Sequence, residues 1–462
     1  MCGGAGGCAG RDCGILLLMS DEIRARFAPS PTGKVHIGNI RAAIYNWLFA
    51  RHTGGKFLLR VEDTDLERST PEAIKALFEC MEWLGLDWDE DVFYQTKNAK
   101  RHLECAERLI AEGRAYKVEK TSRDGKTGVV TMFRMPKEGV IEFDDIVKGR
   151  MAKKAEDVQD FAIVRSDGSP IFHLANVVDD IEQRVTHVIR GDDHVENTFK
   201  HIELFKALGA PVPRYAHLSM IVNQQGKPYS KRDGAAFVGE FREQGYLPEA
   251  LFNYLLLLGW NPGDEREVLS REEMTALFDL AAVHVTPAKF DIKKLQWMNG
   301  EYIRRAPAER FAGELAARVS AAGLDVSAAD VAAVAAQLQP RTKFYSEIPA
   351  NCAYFFTGDY EMDPKAVSKR LLKEGVPETL DDLAARFEAL EPFTAAAGEE
   401  MVKSLSQGQS MGPWVHPVRV AVSGRADGPG LFEMLEILGR EKTVLRLRRA
   451  AARIRAGEFN AG

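Results

Sequence analysis

Two short, widely separated segments hold residue types suited to handling phosphate. The first is Pro29-Ser30-Pro31-Thr32-Gly33-Lys34-Val35-His36-Ile37-Gly38-Asn39. Ile23 to Ala28 before it reads as a strand, and Ile37, Ile40, Ile44, Trp47 and Leu48 after it fall at helical spacing. A loop between a strand and a helix places ligands at the carboxyl end of a sheet. The helix start adds unpaired N–H groups and a positive dipole end. Gly38 allows a flat base to approach the backbone, and His36 can donate to a phosphate oxygen as charge develops. Read alone, His36 fits a helix cap in a proline-stiffened turn equally well. No GxxxxGK[ST] loop occurs, which excludes a Walker-type site.

The second segment is Gly226-Lys227-Pro228-Tyr229-Ser230-Lys231-Arg232-Asp233-Gly234. A lysine on a glycine-flanked loop can close over a triphosphate and stabilise departing pyrophosphate. Taken singly, Ser230-Lys231-Arg232 would pass for a solvated basic turn.

These segments need elements to position them. Phe57 to Val61 reads as a second strand, so the chain opens as a strand–loop–helix–strand unit of a doubly wound parallel sheet. Helical patterns follow at Pro71–Leu84 and Lys97–Glu112. Thr121 to about Phe161 has short β-like runs among charges and glycines and reads as a small insertion. Strands are then expected at Phe161–Val164, Ile171–Leu174, Val185–Ile189 and His217–Val222, with a helix at Glu196–Leu208. After Pro248 the pattern is mostly helical. The fold class is therefore α/β: a split Rossmann-like parallel-sheet domain, an inserted α+β subdomain and an all-helical C-terminal half.

The 462 residues correspond to three or four domains at roughly 100–200 residues each. A net charge of −6 disfavours a protein that coats nucleic acid indiscriminately, without excluding a local basic face. Every apolar run is shorter than the roughly 20 residues of a membrane span. The six cysteines form no CxxC pair, so a reducing, cytoplasmic setting is expected. Residues 1–20 read as a disordered tail, or as an upstream start with Met19 the true one.

Arg26-Phe27-Ala28-Pro29-Ser30-Pro31-Thr32-Gly33 with His36-Ile37-Gly38 resembles the HIGH signature of class I aminoacyl-tRNA synthetases, and more narrowly the bacterial glutamyl-tRNA synthetases. The likeness continues through Asn46–Arg51, Leu59–Asp65, His173–Asp180 and Val188–His194, and runs to the C-terminus. The second segment resembles the KMSKS loop, with Lys231 at its second lysine and Pro228 at its first. The resemblance implies a glutamate–tRNA ligase using ATP with Mg²⁺ as its substrate complex. It implies His36, Gly38 and Lys231 as catalytic. ATP contacts would come from Pro29, Thr32, Gly33, His36, Gly38, Asn39, Asp193, Ser230, Lys231 and Arg232. Glutamate contacts would come from Arg26, Ala28, Ser30, Glu62, Phe172, Asn176 and Arg190. Arginine suits the substrate carboxylate through its planar fork. Taken without the resemblance, Arg26, Glu62 and Arg190 are as readily a strand-end ion pair. Phe172 stands where relatives often have Tyr.

Asp179-Asp180 reads, as a bare pair, as solvated turn residues. His187, His194 and His201 lack a usual metal-ligand spacing, and no metal site is expected. Relatives often carry a cysteine-rich zinc element after Gly-x-Ala-Tyr. Here Gly113-Arg114-Ala115-Tyr116 continues without cysteine, so no bound zinc is expected.

The implied division is 21–95 and 171–222 for the catalytic halves, 96–170 for an acceptor-end insert, 223–308 for a stem-contact domain and 309–462 for a helical anticodon-binding region. Arg440 to Arg455 would give a basic helix face. The implied partners are L-glutamate, ATP and tRNA(Glu), with tRNA(Gln) left open; no membrane is involved and a monomer is expected. The rivals are a truncated paralogue that glutamylates a modified tRNA base, a non-enzymatic tRNA-binding module, and a small-molecule nucleotidylyltransferase. The helical half, the retention of His36, Gly38 and Lys231 together, and the chain length respectively argue against them.

Overall fold

In the computed structural model, residues 22–31, 33–65, 68–121 and 127–459 are described. The expected tail at 1–20 and Thr32 lie outside them. The first strand–helix unit forms as its pattern predicts. Strand β1 (Arg24–Phe27) leads through the proline loop into α1 (Ile37–Thr53). His36 caps α1, its Nδ1 accepting from the Gly38 N–H at 3.1 Å. Gly54 ends it in the left-handed region at φ 67°, where glycine carries no Cβ penalty. β2 (Lys56–Val61) follows, paired parallel to β1 with Arg26 opposite Leu58. Next come α2 (Pro71–Trp83), entered at Thr70 with Pro71 in its first turn, β3 (Phe93–Tyr94) and α3 (Ala99–Ala111).

The inserted stretch does not form one sheet. β4 (Ala115–Thr121), β5 (Thr127–Phe133) and β8 (Phe161–Val164) make a three-stranded antiparallel sheet. Between them, β6 (Val140–Asp145) and β7 (Gly149–Lys154) form a hairpin that joins the main sheet. The run at Ile171–Leu174, expected as a strand, begins a helix instead, α4 (Phe172–Glu182). Four apolar-rich residues cannot distinguish a buried strand from the first turn of a buried helix; the continuation Ala175–Val178 decides it. β9 (His187–Gly191), α5 (Val195–Ala207) and β10 (Arg214–Leu218) complete the α/β pattern. The seven-stranded order is β3-β2-β1-β9-β10-β6-β7, parallel except for β6–β7.

Contacts divide the described residues into two compact units, one of the residues up to 244 together with 251–291, the other of 245–250 together with the residues from 292 onward. In the first, Leu58, Phe133, Leu174, Val177, Val188, Phe205 and Tyr215 pack into one apolar core. The second is helical around Phe311, Leu315, Tyr345, Phe355, Leu383, Phe387 and Leu447.

The helix Arg440–Arg455 is not a free basic stripe. Arg446 is buried and donates to the carbonyls of Val422, Tyr354 and Thr357. Arg440, Arg448, Arg453 and Arg455 pair with Glu391, Glu388, Glu458 and Asp381. The helix charges are answered by acids and carbonyls of their own unit, which counting one helix in the sequence could not reveal.

Candidate active site

The carboxyl ends of β1, β9 and β10 open into a cavity of about 670 Å³. Its wall is built from both motifs. Arg26, Ala28, Pro29, Ser30, His36, Gly38 and Asn39 come from the first, and Pro228 and Tyr229 from the second. Glu62, Phe172, Asn176, Arg190 and Asp193 also line it. Twelve of the expected contacts thus share one wall. Gly33, Ser230, Lys231 and Arg232 lie outside this lining, with Lys231 and Arg232 exposed to solvent.

Backbone pairing ties the first motif to the residues just after the second. His36 and Phe237 form an antiparallel bridge, Ile37 N donates to Ala236 O at 3.0 Å, and Val238 N donates to Val35 O at 3.0 Å. The His36 ring meets Phe237 edge-on at 5.8 Å. His36 is thus both helix cap and cavity residue, and its two readings are compatible. With Nδ1 accepting from Gly38, its proton sits on Nε2. Burial lowers its pKa, which favours this neutral donor form.

Pro228 fits its loop without a missing hydrogen bond. Asn223 N donates to Lys227 O at 2.8 Å and Tyr229 N donates to Ile221 O at 3.0 Å, while Pro228 occupies the intervening bridge with Val222. The loop needs no N–H at that position, so proline costs it no backbone bond. Asp233 then fastens the turn that carries Lys231. Its carboxylate accepts from Ser230 N at 2.9 Å, Ser230 Oγ at 3.0 Å and Asn223 Nδ2 at 2.8 Å.

The amino-acid side of the cavity is electrostatically asymmetric. Arg26 pairs with Asp180 through Nε at 3.0 Å and Nη2 at 3.3 Å. Arg60 bridges Asp180 at 2.6 Å and Glu62 at 3.2 Å. Asn176 Nδ2 donates to Glu62 at 2.9 Å, while Asn176 Oδ1 is buried with no partner among the described residues. Burial pushes the Glu62 pKa up, against Arg60 and Asn176. The ion-pair reading therefore holds for Arg26 and Glu62, each with a partner the sequence did not suggest.

Arg190 differs. It is 8% exposed and donates only to Thr198 Oγ1 at 2.6 Å, His194 O at 3.2 Å and His217 Nε2 at 3.3 Å. No described carboxylate is bonded to it. Burial pushes its pKa down to about 10. A buried guanidinium in a cavity wall with no carboxylate bonded to it carries an uncompensated charge.

Asp179-Asp180 is not a solvated turn. Both are buried within α4, where Asp179 accepts from His102 Nε2 at 2.6 Å, Gln95 at 2.9 Å and Asn98 at 2.8 Å. Asp193 is exposed at the cavity mouth, whereas Asp192 pairs with Lys148 at 3.2 Å. Arg60, Thr198 and His217 were missed in the sequence, and Asp180 was read as a turn residue. For Arg60 a signal existed, a charge inside an otherwise apolar strand. His217 had none. Among the described residues no group of three His, Cys, Asp or Glu could hold a metal ion.

A parallel sheet whose first loop is capped by a histidine, with a second basic segment and a buried arginine beside the same cavity, fits the catalytic core of a class I aminoacyl-tRNA synthetase. The family model "tRNA synthetases class I (E and Q), catalytic domain" matches residues 22–127 and 117–297, and "Anticodon binding domain" matches 308–451. The chain belongs to the class I tRNA synthetases of the glutamate and glutamine type. It is 39% identical to glutamate–tRNA ligase 1 of Caldanaerobacter subterraneus, over 94% of this chain and 98% of the relative. It is 40% identical to a glutamate–tRNA ligase of Geotalea uraniireducens, over 94% and 100%. A crystal structure of a glutamate tRNA ligase from Elizabethkingia meningosepticum, in complex with its amino acid, superimposes with a TM-score of 0.85. That structure is 29% identical and the match covers 94% of this chain and 99% of the other.

Proposed function

We infer that the chain ligates L-glutamate to tRNA(Glu) in two ATP-driven steps. The observation that carries this is Arg190, a buried cation in the cavity wall with no carboxylate of its own. The glutamate side-chain carboxylate meets Arg190, and its ammonium meets Glu62 and the open Asn176 Oδ1. Arg26, Ala28, Ser30 and Phe172 shape the rest of that subsite. ATP, as its Mg²⁺ complex, lies along Pro29, Thr32, Gly33, His36, Gly38 and Asn39, with Asp193 at the ribose. The glutamate α-carboxylate oxygen attacks the ATP α-phosphorus and expels pyrophosphate. His36 Nε2–H and the loop residues Ser230, Lys231 and Arg232 stabilise the charge that develops. The terminal adenosine hydroxyl of tRNA then attacks the glutamyl carbonyl and releases AMP. No protein nucleophile is needed.

The anticodon-domain match supports residues 309–462 as the anticodon-binding region. The segments 96–170 and 223–308 are assigned to the acceptor end and the stem. No described helix is long and apolar enough to cross a membrane; a monomeric cytoplasmic enzyme is the reading we propose. The test is charging of purified tRNA fractions with labelled glutamate, tRNA(Glu) and tRNA(Gln) side by side. Charging of tRNA(Glu) is expected, and failure to charge any glutamate-accepting tRNA overturns the reading. The tRNA(Gln) arm decides whether it is a second acceptor.

A further inference from the structure

The β6–β7 hairpin comes from the inserted stretch, yet its Asp145 bonds His217 of β10, the residue opposite Arg190. Asp145, the last residue of β6, is buried and fastened by three backbone donors on one oxygen. Its Oδ1 accepts from Val147 N at 3.0 Å, Lys148 N at 2.9 Å and His217 N at 3.2 Å. The other oxygen, Oδ2, meets His217 Nδ1 at 2.6 Å. His217 is fully buried on β10, directly opposite Arg190 on β9. Its Nε2 faces Arg190 Nε and Thr198 Oγ1, and Thr198 Oγ1 accepts from Arg190 Nη2.

The proton assignment follows from these contacts. An ionised Asp145 has only acceptors, so His217 Nδ1 carries the proton and donates. His217 Nε2 is then a bare lone pair, which is what the Arg190 N–H requires. Burial lowers the His217 pKa and the nearby Arg190 lowers it further, which opposes a second proton. Lys148 of the same turn pairs with Asp192, two residues beyond Arg190.

We propose that Asp145 and His217 are positioning residues for substrate recognition: Asp145 fixes the His217 tautomer, and His217 Nε2 holds the Arg190 guanidinium in the orientation that receives the glutamate side-chain carboxylate. This rests on the glutamate reading of Arg190. It assigns a specificity role to an edge hairpin that touches no substrate.

Asp145→Asn tests it sharply. The three backbone donors pin the new amide oxygen at the Oδ1 place, so the amide NH₂ must face His217 Nδ1. His217 is driven to its other tautomer, with Nε2–H pointing at the Arg190 N–H groups. The same logic makes a triad aspartate-to-asparagine change damaging through the wrong tautomer. Glutamate KM in tRNA charging should rise about ten- to a hundredfold, the weight of one hydrogen bond to a charged group, with ATP KM within about twofold.

His217→Gln keeps an acceptor for Arg190 without a tautomer and should restore glutamate KM in the Asp145→Asn background. His217→Leu should raise it as Asp145→Asn does. If Asp145→Asn does not fold, the His217→Gln and His217→Leu pair decides alone: a low KM for Gln and a high one for Leu supports the proposal, and equal values overturn it. A parallel rise in ATP KM, or no rescue by Gln in a folded double variant, also overturns it. Wild-type protein in the same assay separates the readings. If it charges no glutamate, the function fails; if it charges normally and Asp145→Asn matches it, only the positioning role fails.

Discussion

Replacing Arg190 by methionine should move stability and activity in opposite directions. Arg190 is almost fully buried, and burial holds its pKa at about 10, well below the ordinary arginine range. At about 1.4 kcal/mol per pH unit, confining that charge costs the ligand-free fold about 3 kcal/mol at neutral pH. Its hydrogen bonds to Thr198, His194 O and His217 return part of this, at about 1 kcal/mol each. Thr198 Oγ1 still reaches His217 Nε2 at 3.1 Å after the change, so no acceptor there is abandoned. Arg190→Met should therefore leave urea unfolding of the ligand-free protein within about 1 kcal/mol of wild type, or raise it. Glutamate loses its cation, a deletion of about 3–5 kcal/mol, so kcat/KM for glutamate should fall about 10²–10⁴-fold. Glutamate at 100 times its Kd should stabilise wild type by about 2.7 kcal/mol and the variant hardly at all. The reasoning is refuted if Arg190→Met destabilises the ligand-free protein by more than about 2 kcal/mol, or if charging stays within tenfold.

Asp180→Asn should be the converse. It strips the shared carboxylate from buried Arg26 and Arg60, so thermal unfolding should show a loss of about 3–5 kcal/mol before any substrate is added. Lys231→Ala removes an exposed side chain, so stability should stay within about 0.5 kcal/mol of wild type. Its kcat for ATP–pyrophosphate exchange should fall about 10²–10³-fold, as on loss of one transition-state donor, with glutamate KM little changed. Burial holds the pKa of His173 and of His187 at about 4 in the folded state, below the unfolded value near 6.5. The unfolded chain then binds more protons between those values. Each histidine therefore erodes stability as pH falls from about 6.5 to about 4, by up to ~3 kcal/mol, and adds no pH dependence above 7. His187→Gln should flatten the Tm–pH curve in that window; an unchanged curve would remove His187 from the account.

What the sequence displayed and what it hid divide along a physical line. His36, Gly38 and Lys231 were legible because residue type, spacing and the adjoining pattern are local signals. Their strands and helices were legible for the same reason, because period and caps are local too. The partners that make the cavity specific are tertiary. Asp180 reaches Arg26 and Arg60 only because α4 packs against the first two strands, and its acidic neighbour made it look like a turn. Asp145 reaches His217, and through it Arg190, only because β6 leaves the inserted stretch to extend the main sheet beside β10. No count of residues along the chain predicts that register. The charge of Arg440–Arg455 was misjudged for a related reason, since many of its cations are answered by acids and carbonyls of their own unit that one helix's sequence does not show. Pro228 shows the reverse case. It was legible as a departure from the lysine usual in the loop, but only the bridge to Val222 shows that proline costs the loop no backbone hydrogen bond. With Pro228 bridged to Val222 and Asp233 fastening Ser230, the turn presents Lys231 and Arg232 to solvent. A change at Asp233 should therefore act on the Lys231 step and spare the Arg190 subsite.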